Sequence, residues 1–244
     1  MMLIDTHAHI DELADVGDAL ERARDKEVVA VVAVGSSSRA NIRILKIEKE
    51  HAGSIYPAIG IHPIEAGTAS EEAVKFVDEN AYSCVAIGEI GLDYSYKVDK
   101  NLQREIFEKM VKIARRYDKP VSLHSRSAWD EVFSCVLDQG VRKGVFHWYS
   151  GPLETLDKIL DSGYLVSATP AVEYSLKHRE AIQRAPVESI MLETDTPVRY
   201  RGVTSEPSDV TRVLNAVAEI KGLAKDRLAE ITTSNACNLF DLPL

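Results

Sequence analysis

The chain reads as α/β, a single (β/α)8 TIM barrel spanning residues 1–244, and three features of the sequence lead there. Short β-branched apolar runs alternate with longer amphipathic segments from end to end, the pattern of parallel strands joined by crossover helices. No stretch rich in Pro, Gly or Ser interrupts the alternation, so nothing marks a second domain. Five of the seven histidines, His7, His9, His62, His124 and His147, fall at the ends of strand candidates. In a barrel those ends converge on one mouth, so the polar residues there form one chemical set. A doubly wound open sheet is the runner-up, because the same alternation would feed it.

Eight apolar runs qualify as strands: residues 3–5, 28–34, 55–59, 85–88, 121–124, 144–147, 164–167 and 190–193. Between them, 17–26 places Ala19, Leu20 and Ala23 on one helical face, 38–50 places Ile42, Leu45 and Ile47, and 71–80 places Ala73, Val74 and Val77. The longest segment, 101–117, repeats Leu102, Ile106, Met110, Ile113 and Tyr117 at helical spacing. Residues 128–139 follow Ser127-x-x-Asp130, which resembles a capping box, and stop before Gly140. Residues 153–162 begin after Pro152 and end at Gly163, and 176–185, 208–221 and 225–238 complete the helices.

With 244 residues, 45% hydrophobic and 27% charged, the chain is an ordinary globular sequence, long enough to bury roughly 70–75% of its unfolded surface. It has no apolar run of membrane-spanning length and no basic start leading into an apolar core, so a cytoplasmic protein with no membrane association is expected. Cys84, Cys135 and Cys237 are odd in number and form no Cys-x-x-Cys pair, which reads as buried free thiols. A net charge of -9 argues against broad adhesion to nucleic acid. It leaves open a phosphate substrate at a metal site, where the ions supply positive charge. No amphipathic face is long enough to demand a partner helix, so no obligate protein partner is expected.

The strand ends carry the chemistry. His7 and His9 alternate, so an extended chain presents both imidazoles to one side. Divalent ions take imidazole and carboxylate ligands at about 2.0–2.2 Å. His7, His9 and Asp195 can surround one ion and His124 and His147 a second, with Glu89 between them offering one oxygen to each, at the ~3.5–4 Å spacing of two-metal hydrolytic sites. Such ions bring the pKa of a water toward about 7, and Asp195 can accept its proton. Zn, Mg and Mn all fit this reading. His62 and Arg126 are candidates for steadying a substrate phosphate; His62 can instead brace its loop, and Arg126 can pair with Asp93 or Glu193. Asp5 is expected to orient a ligand histidine. Trp148, Tyr94 and Tyr149 read as wall residues, Arg199, Tyr200 and Arg201 as an exposed basic and aromatic loop, and His51 and His178 receive no role.

These motifs resemble, in order, the TatD-type metal-dependent deoxyribonucleases of the amidohydrolase superfamily. The matching pieces are Asp5-Thr6-His7-Ala8-His9, Gly60-Ile61-His62-Pro63, Gly88-Glu89-Ile90-Gly91-Leu92-Asp93-Tyr94, His124-Ser125-Arg126, His147-Trp148-Tyr149-Ser150-Gly151, Glu193-Thr194-Asp195-Thr196-Pro197 and the tail from Thr232 to Phe240. The resemblance implies two divalent metal ions per subunit, ligated by His7, His9, Glu89, His124, His147 and Asp195. Glu89 then stands where much of the superfamily has a modified lysine. It also implies trimming of DNA, commonly from the 3′ end. Trp148 departs from the small residue of many relatives, as does the run after Asp195, which reads Thr196-Pro197-Val198-Arg199-Tyr200-Arg201.

The sequence therefore predicts a metal-dependent hydrolase, a deoxyribonuclease of 3′-5′ exonuclease type acting on DNA or another phosphodiester. The alternative keeps the ions but hydrolyses a small ester, lactone or cyclic amide. A scaffold with a structural metal site fits least, since an open two-ion site costs stability that a scaffold has no use for.

Overall fold

The computed structural model describes residues 2–244. Eight strands form one parallel sheet in sequential order: β1 (Leu3–Ala8), β2 (Val28–Val34), β3 (Ile55–Ile59), β4 (Ala86–Asp93), β5 (Val121–Arg126), β6 (Gly144–Phe146), β7 (Leu165–Ala168) and β8 (Ile190–Leu192). The first and last strands are joined by single bonds rather than a ladder. Asp195 N–H donates to His7 O, His9 N–H to Thr196 O, and the Thr6 hydroxyl to Leu192 O. The ring is thus a barrel, as the sequence predicts, and not an open sheet.

Helices α1 (Val16–Arg24), α2 (Ser38–Glu50), α3 (Glu71–Asn80), α4 (Lys100–Arg116), α5 (Trp129–Asp138), α6 (Leu153–Asp161), α7 (Leu176–Arg184), α8 (Val210–Lys221) and α9 (Lys225–Phe240) pack outside it. The main apolar layer lies between strands and helices, with Phe107, Met110 and Val111 of α4 fully enclosed. Among the described residues no helix is long and apolar enough to cross a membrane. The three cysteines are free thiols; Cys84 is buried, while Cys135 and Cys237 are only partly so.

Some local expectations need correction. On α2 the buried face is Ala40, Asn41, Ile44 and Ile47, while Ile42 is 57% exposed. Asn41 sets that rotation, because its amide donates to Gly60 O and accepts from Gly60 N–H. Leu102 likewise turns to solvent, and Gln103 points inward to bond the Asp93 backbone. The capping box at Ser127 does not form: Ser127 has φ +58° and α5 starts after Ala128 without a side-chain cap. Arg199, Tyr200 and Arg201 belong not to an open loop but to a small antiparallel hairpin, β9 (Arg199–Tyr200) and β10 (Val203–Thr204). There Tyr200 is buried and its hydroxyl donates to Thr194 O.

Strands β1, β4 and β5 run two to five residues beyond their apolar cores, so the polar ends are themselves strand. At Gly91, φ is +152° and a Cβ would stand 1.8 Å from His124 O, so only glycine lets β4 approach β5 there. The β4–β5 register shifts between Ile87 and Ile90, and Glu89 lies within that irregularity.

Candidate metal centre

The strand ends open into a cavity of about 560 Å³. Five strands, β1, β4, β5, β6 and β8, hold the candidate ligands there. His7 and His9 come from the end of β1, with His7 Nδ1 3.1 Å from Ser122 Oγ and His9 Nδ1 donating to Val34 O at 2.9 Å. His124 ends β5 and His147 follows β6. Asp195 follows β8 in a left-handed conformation, φ +51°, a state uncommon for any residue but glycine.

Glu89 is the centre of the arrangement. Its Oε1 lies 2.8 Å from His124 Nδ1 and 2.7 Å from His147 Nε2, while its Oε2 lies 3.7 Å from His7 Nε2 and 3.4 Å from His9 Nε2. Asp195 Oδ1 faces the same two imidazoles, 3.7 Å from His7 Nε2 and 3.5 Å from His9 Nε2. One carboxylate thus faces both histidine pairs with different oxygens, and the six residues singled out by sequence come together. His7, His9 and Asp195 place their donor atoms within 4.8 Å of one another.

Buried carboxylates dominate the electrostatics. Glu89, Asp93, Glu193 and Asp195 are all at most 5% exposed. Burial alone would lower the histidines, but Glu89 and Asp195 outweigh it and hold His9 up at about 9; Glu89 with Glu193 raises His147, and Asp93 with Glu89 raises His124. Burial opposes the charge on Glu89 too, yet the imidazoles hold it well below the usual carboxylate range. The centre therefore calls for positive charge, which protons or divalent ions can supply in competition.

A divalent ion fits this donor set. His7 Nε2 is fully enclosed and has no hydrogen-bond partner among the described residues, an arrangement that costs stability unless an ion or water takes it up. His7 and His9 with Asp195, and His124 and His147 with Glu89, are the residues that would hold such ions.

Several supporting residues escaped the sequence reading. Asp93 Oδ2 lies 2.9 Å from His124 Nε2, and Glu193 Oε1 lies 3.4 Å from His147 Nδ1 while accepting from Trp148 N–H. These carboxylates orient the two rings and so are not partners of Arg126, for which no ion pair is found among the described residues. A strand's period of two already places Asp93 on the side of Glu89, and that signal was available in the sequence. Asp5 does not orient a ligand ring: it accepts from Thr194 N–H and the Thr194 hydroxyl, pinning β1 to the end of β8, and its burial pushes it well above the usual range. Ser122 and the Val34 carbonyl do the orienting of β1 instead.

His62 and Arg126 both line the cavity. His62 Nδ1 accepts from Ile64 N–H, so it braces the turn after β3 as well as facing the site, and burial takes it down to about 3. Trp148 lines the cavity, packed against Tyr200 at 5.4 Å. Tyr94 instead donates to Glu131 outside the barrel, and Tyr149 is buried with its hydroxyl on Pro152 O; the wall tyrosine is Tyr96. His178, given no role from sequence, is fully buried, accepting from Thr169 N–H and donating to Tyr149 O. Its helical, charged neighbours hid that role.

The family model described as TatD related DNase matches residues 4–241. The chain is 32% identical to the "Uncharacterized metal-dependent hydrolase YabD" of Bacillus subtilis, covering 98% of this chain and 99% of that one. It is 29% identical to the human "Deoxyribonuclease TATDN3", over 98% of this chain and 94% of that one. Among solved structures, YJJV, a TATD homolog from Escherichia coli K12, superposes with a TM-score of 0.90 at 29% identity, covering 99% and 98% of the two chains.

Proposed function

Because the chain belongs to the TatD-related DNase family and is a metal-dependent hydrolase, we propose that it hydrolyses phosphodiester bonds in DNA, as a 3′-5′ exonuclease, with two divalent ions, Zn, Mg or Mn. The observation that carries this reading is Glu89, whose two oxygens face separate histidine pairs. His7, His9 and Asp195 would hold one ion, His124 and His147 the other, and Glu89 both.

Such ions, when bound, polarise a phosphoryl group and make a water more acidic. The chain's own residues do the rest. Asp195 turns Oδ1 to His7 and His9, which leaves its second oxygen to accept a proton from the attacking water. Arg126 presents to the cavity a guanidinium without an ion pair among the described residues, suited to a phosphate's non-bridging oxygens. Asp93 and Glu193 keep His124 and His147 turned inward.

Labelled single- and double-stranded DNA incubated with the purified protein and Mg, Mn or Zn, beside an Asp195→Asn control, tests the reading. Metal-dependent shortening from the 3′ end that vanishes in the variant is expected. Cleavage surviving in the variant, or none with any metal, overturns it.

One observation favours the small-substrate alternative. Among the described residues lining the cavity, Arg126 is the one lysine or arginine, and the net charge is -9. A nuclease should lose affinity steeply with salt and on Arg126→Ala, whereas hydrolysis of a neutral lactone, ester or cyclic amide should not respond.

A further inference from the structure

The five histidines at the mouth do not all offer the same atom. Val34 O can only accept, so His9 carries its proton on Nδ1 and turns a lone pair on Nε2 toward Asp195 and Glu89. Asp93 takes the proton of His124 Nε2, and Glu193 faces His147 Nδ1, which leaves a lone pair on each ring toward Glu89. His62 is reversed. The Ile64 N–H donates to His62 Nδ1 at 3.1 Å, so the lone pair is spent on the backbone and the neutral ring carries its proton on Nε2. That Nε2 stands 3.8 Å from Glu89 Oε1, with the ring edge-on to His124 at 4.5 Å. His62 sits among possible ligands, close enough to Glu89 and His124 to be counted with them, yet it presents an N–H.

Tyr96 stands beside it. Its ring meets His62 edge-to-face at 5.8 Å, it lines the same cavity as Arg126, and no hydrogen bond of its hydroxyl is found among the described residues. His62 follows β3, Tyr96 follows β4 and Arg126 ends β5, so three neighbouring strands supply three donors to one wall. We propose that His62 and Tyr96 complete, with Arg126, an oxyanion-binding wall that takes the non-bridging oxygens of a tetrahedral phosphoryl group, and that His62 is not a metal ligand. Naming the anion as the substrate's phosphoryl group rests on the phosphodiester reading above; the donor wall itself does not.

The test uses the metal-loaded protein and its Tyr96→Phe, His62→Leu, His62→Gln and His9→Gln variants. Three quantities are read: metal content, affinity for inorganic phosphate by calorimetry, and kcat and KM on bis(p-nitrophenyl) phosphate. Tyr96→Phe and His62→Leu are expected to keep the wild-type metal content, to bind phosphate at least ~10-fold more weakly, and to lose about 10²-fold in kcat, the scale of a lost oxyanion donor; Tyr96→Phe should also keep the wild-type melting temperature, whereas His62→Leu gives up the cap on Ile64 N–H and should melt lower. His62→Gln restores an N–H and should recover most of that loss, while His9→Gln should lose metal. If His62→Leu loses metal as His9→Gln does, His62 is a ligand and the proposal falls. If Tyr96→Phe changes neither phosphate affinity nor kcat, the wall does not include it. Phosphate binding that depends on His62 and Tyr96 in a protein that cleaves no phosphodiester would sink the functional reading and leave the wall standing. Phosphodiester cleavage indifferent to both residues would do the reverse.

Discussion

Left-handed residues occur at both ends of the barrel, and the two ends use them differently. At the floor, Asp118 follows α4 and Asp241 follows α9, with Gly140, Gly163 and Gly222 after α5, α6 and α8. There the conformation ends a helix and lets its last carbonyls find donors. At the mouth, Ser127, Trp148 and Asp195 follow strands β5, β6 and β8, each within three residues of a site residue or being one. Among the described residues, buried polar atoms without a hydrogen-bond partner divide the same way. His7 Nε2, Glu193 Oε2 and Ser125 Oγ lie at the mouth, while Gln139 Oε1 stands away from it. Strain at the floor closes the fold, and strain at the mouth aims side chains.

Asp195→Asn against Phe107→Ala is the sharpest way to break that division. Asp195→Asn is expected to lower kcat by at least ~10³-fold, since it removes both a carboxylate facing two imidazoles and the proton acceptor. The metal-free variant should melt no lower than wild type, because a site's buried charges cost stability. Phe107, 2% exposed under the barrel wall, should behave in the opposite way. Its replacement by Ala is expected to cost about 3–5 kcal/mol and leave kcat per folded molecule unchanged. Steady-state kinetics and urea unfolding of both variants check the pair, and a mutual effect would show that mouth and body are not separable.

His178 tests the boundary between them. Burial takes its pKa from 6.5 to about 4, so the folded protein refuses a proton that the unfolded chain accepts. Above pH 6.5 both states are neutral there and the full stability is present. It is lost progressively as pH falls from 6.5 toward 4, by about 3 kcal/mol in all. His178→Gln, whose amide can accept from Thr169 and donate to Tyr149, should flatten that part of the curve. Urea midpoints at pH 8, 6 and 5 in wild type and variant isolate the difference; identical pH slopes would remove His178 from the account.

The same division explains what was legible in the sequence. The alternation of runs gave eight strands and nine helices because a barrel's body is built from periodic burial, which composition records directly. The ligand candidates were legible because histidine is rare and its placement at strand ends is not periodic. The face of α2 was misjudged because Asn41, a polar residue serving Gly60, outweighs Ile42. Asp93 and Glu193 were read only as possible partners of Arg126 because a buried carboxylate that orients a ring looks, in sequence, like any acid near a loop. His178 shows the converse, a buried imidazole hidden in a charged helix. Tertiary partners decide these cases, and no local pattern carries them.

The smallest expected effect separates the two ends most directly. A non-glycine residue held left-handed costs about 1 kcal/mol, and glycine relieves it at the expense of a looser unfolded chain. Asp118→Gly and Ser127→Gly start from nearly the same backbone, φ +51° and +58°, and both positions are exposed, so each should change stability by no more than about 1 kcal/mol. Their effects on catalysis should differ. Asp118 lies in the turn after α4 with its N–H on Arg115 O, and its variant should match wild-type kcat. Ser127 fixes the direction in which β5 leaves the barrel directly after Arg126, and a freer backbone there should raise KM for a phosphodiester several-fold. Equal kinetics in the two variants would mean that the left-handed residues at the mouth close loops as those at the floor do, and that Arg126 is aimed by β5 alone.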